Sequence, residues 1–251
     1  MAVEKAKPAE LSGADALIDK YYPFFLEVRK RIVFTLSVFA VASVGGFIFY
    51  EKIIKFLIGA LGLGGINIVF TSPFQFINLS ISCGVAVGLI FVSPLLISQI
   101  LSFLKPALKN KEFKKIVGFL PFSVLLFITG FSFGALIMRW QIQIFLEKSV
   151  SLGIGNILDI SNLLTTILLT SAFMGVGFQF PIILLLLIFV GVISPHQLRQ
   201  QRRWVYLGSL IFAILLPADS ILADFLLTLP FIILFELTLI FDFLFKRTET
   251  R

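Results

Sequence analysis

The stretch "LLTTILLTSAFMGVGFQFPIILLLLIFVGV", residues 163–192, contains no charged side chain. A bilayer's hydrocarbon core, about 30 Å thick, is crossed by roughly 20 apolar residues in a helix. This run, at about 1.5 Å per residue, would reach roughly 45 Å and must tilt, bend or protrude. Pro181 offers the bend, because it lacks an N–H and its ring crowds the carbonyl of Gly177 one turn earlier. Gln179 sits near the middle of the run. An amide at that depth needs a hydrogen-bond partner on another helix or in a cavity.

Outward from this run, the rest of the chain has the same character. Of its 251 residues 58% are hydrophobic and 14% charged, whereas soluble domains carry about a quarter charged. Five further apolar runs are punctuated by polar loops: about 32–49, 74–103, 116–137, 205–216 and 221–243. The expected fold is an all-α integral membrane protein of six transmembrane helices. Pro94 predicts a kink in the second run, and Pro73 an early helical position just before it. The fifth run is only about a dozen residues, or about 18–20 Å of helix, so the bilayer thins there or neighbours shelter it. Long and short spans together predict a concave bundle. Three parts follow: a cytoplasmic N-terminal segment 1–31, a membrane domain 32–243 and a cytoplasmic tail 244–251.

Lysines and arginines fix the orientation. Residues 1–31 hold Lys5, Lys7, Lys20, Arg29, Lys30 and Arg31, while the loop 104–115 holds five lysines. Residues 193–204 and 244–251 hold three basic residues each; the opposite side has only Lys52, Lys55, Arg139 and Lys148. The positive-inside rule places both termini in the cytoplasm or, in an organellar membrane, its equivalent. The net charge of +7 is therefore a topology signal, and no nucleic-acid partner is expected. The N-terminus lacks the apolar core and small-residue cleavage site of a secretory signal, so targeting is expected from the first span. Residues 11–25 read as an interfacial amphipathic segment broken near Pro23.

Chemistry is scarce. Cys83 is the lone cysteine and His196 the lone histidine, which excludes an intrachain disulfide and leaves no metal-ligand cluster. No nucleophile–base pair, HExxH, Walker loop or dinucleotide fingerprint occurs, so neither enzyme nor cofactor is expected. What remains are acids in odd places. Glu27, in "FLEVRKRIVF" (25–34), opens the first span among Arg29, Lys30 and Arg31. It either forms a local i,i+4 pair with Arg31 or is a recognition carboxylate for a foreign guanidinium. Glu112, in "KPALKNKEFKK" (105–115), repeats the setting within a basic loop that can also be merely solvated. Asp219 and Asp224 lie near the outer turn before the sixth run, Glu236 and Asp242 toward its inner end.

Together these segments resemble the TatC family, the multispanning subunit of the twin-arginine protein translocase, from about residue 24 to 243. "FLEVRKR" resembles its first-span signature, with Glu27, Arg29 and Arg31 alternating. "TSPFQFINLS" (71–80) is similar to its segment opening the second span. "SPLLISQILSFLKPALKNKE" (93–112) matches at Pro94, Gln99, Phe103, Pro106 and Glu112. "GFQFPIILLLLIFVGVISPHQLRQQRRWV" (177–205) and "LPFIILFE" (229–236) complete the likeness. The resemblance implies a glove-like bundle with both termini inside. It also implies signal-peptide binding at Glu27 and Glu112, with Arg29 beside them. Gln179 becomes an intramembrane contact, and Pro73, Pro94, Phe103 and Pro181 structural or partner positions. Implied partners are twin-arginine signal peptides of folded cargo and single-span Tat subunits in an oligomeric complex of the cell membrane, driven by the proton-motive force. Phe24 stands where the family commonly has histidine, and Gln179 where glutamate is usual. The family's outer-side aspartate falls on Ser220, one residue from Asp219. The alternative reading is a small-solute transporter or channel.

Overall fold

A computed structural model describes residues 13–62, 68–105, 117–118, 120–153, 158–218 and 220–249. Its elements run α1 (Gly13–Ile48), α2 (Tyr50–Leu61), β1 (Ile68–Val69), α3 (Gln75–Leu104), α4 (Leu120–Ser151), β2 (Leu158–Asp159), α5 (Ile160–Gly177), α6 (Phe180–Val190), α7 (Pro195–Gln200), α8 (Arg202–Ile214) and α9 (Ile221–Glu249). Two compact units divide it, residues 1–37 and 38–251. The described part of the first unit is the N-terminal portion of α1, which runs through Pro23 without the expected break.

The chain is an all-α membrane protein. Five stretches are long and apolar enough to cross a bilayer: Phe25–Ile48, Gln75–Leu104, Leu120–Ser151, Ile160–Val190 and Ile221–Ile240. The remaining expected span is α8, whose 13 residues match the short fifth run. Pro73 lies in a turn ahead of α3, where Gln75 N–H donates to Ser72 O at 3.2 Å, rather than inside the helix. Pro94 is carried within α3 without ending it. The third helix continues to Ser151, well past the expected end near Ile137. Its extension stays structured because it still has a core face, with Met138 buried and Ile142 packed alongside. Another element was not foreseen in the loop after the first span. Tyr50, Ile53, Leu57 and Leu61 recur at helical spacing, so α2 lays one apolar face against the core, with Lys52, Lys55 and Phe56 turned outward. Gly62 ends it at φ +67°, a conformation that costs a Cβ-bearing residue.

Packing centres on α5, which lies against α3 and α4. Without a hydrophobic driving force in lipid, helices associate through close backbone approach over small residues. A Cβ on Gly84 would stand 2.7 Å from Ser43 O, and one on Gly46 2.8 Å from Cys83 O. Thus α1 docks on α3 through glycine, although only 6% of its span window is buried. Gly130 and Gly134 do the same for α4 on α5.

The long fourth run breaks where expected. Pro181 cannot donate to Gly177 O, and Gln179 N–H turns back to Val176 O at 2.9 Å, separating α5 from α6. Phe231 of α9 fills the gap: a Cβ on Gly177 would lie 2.6 Å from its ring. Phe231 meets Phe178 and Phe212 edge-on at 5.9 and 5.2 Å, geometry that aromatic quadrupoles favour. Gly191 in the left-handed region closes α6, and a Ser194–Gln197 capping box with Pro195 opens α7. Two apolar clusters result. The larger spans α2 to α9 and includes Ala213, Leu216, Ala223 and Leu227 of the last hairpin. The smaller, Leu184, Leu198, Phe235 and Leu239, lies at that hairpin's other end.

Candidate functional site

Glu27 sits on α1 where the basic residues give way to the apolar span. Arg31 donates from Nη2 at 2.6 Å and from Nε at 3.2 Å, both to Glu27 Oε1. The i,i+4 geometry of the helix dictates this pair. Oε2 accepts no bond among the described residues, and the side chain remains 42% exposed. A half-exposed i,i+4 pair of this kind contributes about 0.2–1 kcal/mol, and with both bonds on Oε1 Arg31 engages the carboxylate without saturating it. Arg29 is exposed and, two residues on, projects from a different side of the helix. Glu112, the second expected carboxylate, lies outside the described residues, as does Pro106. Phe103 is half-buried in the last turn of α3.

Gln179 occupies the α5–α6 break with 3% exposure. Ser123 of α4 donates its hydroxyl to Oε1 at 2.6 Å, while Nε2 donates to Ser123 O at 3.0 Å and Gly175 O at 3.4 Å. The amide is thus interhelical glue, matched on both ends by one neighbouring residue. It also reaches Gly175 O, whose usual helical donor, the Gln179 N–H, has turned to Val176 O instead.

Two further clusters escaped the sequence reading. On the outer side, Asp159 caps α5 by accepting from Ser161 and Asn162 N–H at 2.9 and 3.1 Å. Its other oxygen takes the Thr71 hydroxyl at 2.5 Å and the Gln75 amide. Gln75 in turn accepts from Thr71 N–H at 2.9 Å, and β1 pairs in parallel with β2 beside them, Val69 opposite Asp159. This is the local reason for "TSPFQ": it ties the entrance of α3 to that of α5. Desolvation pushes the Asp159 carboxyl up, but hydrogen bonds from Thr71, Asn162, Gln75 and Ser161 outweigh it and hold the pKa below its ordinary value. "DISN" is an N-cap signature ahead of an apolar run, so the cap was readable, though its long-range partners were not.

On the inner side, Glu236 of α9 joins α8. Arg202 Nη2 donates to Oε2 at 2.9 Å and Tyr206 donates its hydroxyl to Oε1 at 2.5 Å. Asp242 has no described side chain, Asp219 is outside the described residues, and Asp224 lies in the first turn of the last helix. Among the described residues no group of three or more His, Cys, Asp and Glu could hold a metal ion.

Known proteins share the family signature and the fold of this chain. The family model for Sec-independent protein translocase protein (TatC) matches residues 23–230. TatCy, a Sec-independent protein translocase protein of Bacillus subtilis (strain 168), is 28% identical over 220 residues, covering 85% of each chain. Its counterpart TatC from Synechocystis sp. (strain ATCC 27184 / PCC 6803 / Kazusa) is 30% identical over 205 residues, 80% of this chain and 79% of that one. Among solved structures, a twin-arginine translocase receptor, TatC, crystallised in DDM superimposes with a TM-score of 0.75 at 24% identity. It covers 86% of this chain and 98% of its own.

Proposed function

Because the chain belongs to the TatC family of Sec-independent protein translocase proteins, we propose that it is the receptor and scaffold of a twin-arginine translocase. It binds the signal peptide of folded cargo at the cytoplasmic face of the cell membrane. Single-span Tat subunits gather around it in an oligomeric complex, and the proton-motive force energises transport. Family membership displaces the solute-transporter reading, which rested on six apolar runs and a polar group at mid-depth.

The observation that supports this docking site is the state of Glu27. One oxygen is held by Arg31 and the other accepts nothing among the described residues. A guanidinium from an incoming peptide can bond Oε2 without first displacing Arg31. Planar guanidinium matches carboxylate geometry better than ammonium does, which favours arginine over lysine in the peptide. Glu112 is the proposed second acceptor, with Arg29 at the rim; two acids receive two arginines.

Site-specific photocrosslinkers at positions 27 and 112 test this with a twin-arginine peptide and its twin-lysine variant. The twin-arginine peptide should crosslink from both positions and the twin-lysine peptide about tenfold less. That ratio corresponds to roughly 1.4 kcal/mol, a fraction of one charge-assisted hydrogen bond. Equal crosslinking of the two peptides rejects the assignment.

A further inference from the structure

On the side of the membrane that the charge distribution makes the outer one, a cleft of about 460 Å³ opens between α4 and α9. It is lined by Leu136, Ile137, Arg139, Trp140, Gln143 and Leu226, and its size is that of a small-ligand cleft, roughly 300–1,000 Å³. Leu136 and Trp140 are one turn apart on α4, as are Arg139 and Gln143, so the helix presents all four to one place. Arg139, Trp140 and Gln143 can each donate a hydrogen bond. All three are exposed, and none has a partner among the described residues. Arg139 is the sole charge in the described lining. Glu147 lies a further turn along α4, and Asp224, two positions before Leu226, projects from another side of α9; neither lines the cleft.

Depth separates the two ends of the cleft. Arg139 is nineteen residues along α4 from Leu120, which is about 28 Å of helix, so it stands near the far edge of a hydrocarbon core of about 30 Å. Leu136 and Ile137 lie inside that edge, as does Leu226, five residues into α9 from Ile221. Trp140, 45% exposed, is of the residue type that settles at headgroup level. The cleft thus has unengaged donors at its rim and an apolar floor within the lipid. A Cβ on Gly62 would lie 3.5 Å from Arg139 Nη2, so the guanidinium stands at the C-terminal end of α2. The helix dipole there favours a cation and holds the charge at the rim, but among the described residues no anion reaches it.

We propose that this cleft binds the headgroup of an anionic phospholipid of the outer leaflet. The phosphate oxygens accept from the Arg139 guanidinium, whose fork matches them, with the Trp140 indole and the Gln143 amide as further donors. An acyl chain runs inward over Leu136, Ile137 and Leu226, along the seam of α4 and α9. A soluble anion would use the rim and leave the apolar floor uncovered; a lipid covers both. A zwitterionic headgroup brings a cation of its own, which Arg139 repels, so the site favours a headgroup whose charge is uncancelled.

The chain has two tryptophans, so the full chain with Trp204→Phe reports from Trp140 in the cleft. It is reconstituted in phosphatidylcholine vesicles containing a minor fraction of lipid with brominated acyl chains. Brominated phosphatidylglycerol should associate with Trp140, as read by quenching, about fivefold more strongly than brominated phosphatidylcholine, the effect of one surface cation. Arg139→Gln should remove this preference, and Arg139→Lys, which keeps the charge, should retain at least half of it. A companion chain with Trp140→Phe reports from Trp204 at the opposite face, where Arg139→Gln should change nothing. In the chain with Arg139 intact, 1 M salt should also collapse the preference, because the Debye length falls to about 3 Å. Equal quenching of Trp140 by the two lipids, a preference that survives Arg139→Gln or high salt, or an equal loss at both tryptophans overturns the proposal. So does inorganic phosphate that abolishes the preference where chloride of equal ionic strength does not, which would make this a free-anion site. None of these readouts involves Glu27, so failure here leaves the peptide-receptor reading standing.

Discussion

Glu27 and Asp159 are both acids at the start of an apolar run, assigned by the charge distribution to opposite sides of the membrane. Their partners differ in reach. Asp159 takes four donors, two of them from residues more than eighty positions away. Glu27 takes one neighbour four positions on, and through one oxygen only. A carboxylate whose acceptor sites are filled by its own fold holds helices together. One that is left partly open is available to another molecule.

This contrast is broken most directly by charge reversal. Glu27→Arg should reduce crosslinking to a twin-arginine peptide by tenfold or more at unchanged protein level, because it loses a charge-assisted bond of about 1.5–3 kcal/mol and adds repulsion. Unchanged crosslinking would erase the distinction. Asp159→Ala should do the reverse, lowering unfolding stability in detergent by about 2–3 kcal/mol through loss of the cap and the Thr71 and Gln75 bonds. Its peptide crosslinking should be intact after normalisation to folded protein.

Gln179→Leu sharpens the structural side. It strands the Ser123 hydroxyl in a buried site, and an unfolding midpoint should report a loss of about 1–3 kcal/mol. A smaller effect is expected from acid. The folded-state pKa of Asp159 is lowered, so its contribution is fully present above the ordinary carboxylate value and is lost as pH falls through the lower folded value. Hydrogen exchange of the Ser161 and Asn162 amides should therefore, after correction for intrinsic rates, be equally protected at pH 7 and pH 5. Protection that fell between those values would show the carboxylate to be less well held.

Local features were legible in the sequence. Pro181 announced the break between α5 and α6 because a missing N–H acts within one turn, and the short α8 followed from counting apolar residues. Gln179 announced a partner, since an amide in lipid cannot go without one; which helix supplied Ser123 was beyond reach. The same limit hid Gln75, whose bond to Asp159 spans 84 positions, and the glycine contact of α1 with α3. The overshoot of α4 past Ile137 was missed for another reason: hydropathy marks where lipid ends, whereas Met138 and Ile142 continue the helix against protein. Glu27 was read two ways, and the local pair with Arg31 is present alongside an open oxygen.

The division of the last hairpin between two apolar clusters has a mechanical consequence. At its turn Leu216, Ala223 and Leu227 are set into the main core, so that end is anchored. At the opposite end Phe235 and Leu239 of α9 pack with Leu184 of α6 and Leu198 of α7, with Val205 and Tyr206 of α8 against them, while the Arg202–Glu236 pair ties α8 to α9 within the hairpin. A pull on the hairpin would thus pivot it about its turn, like a lever, because the larger cluster holds that end and the smaller one the other.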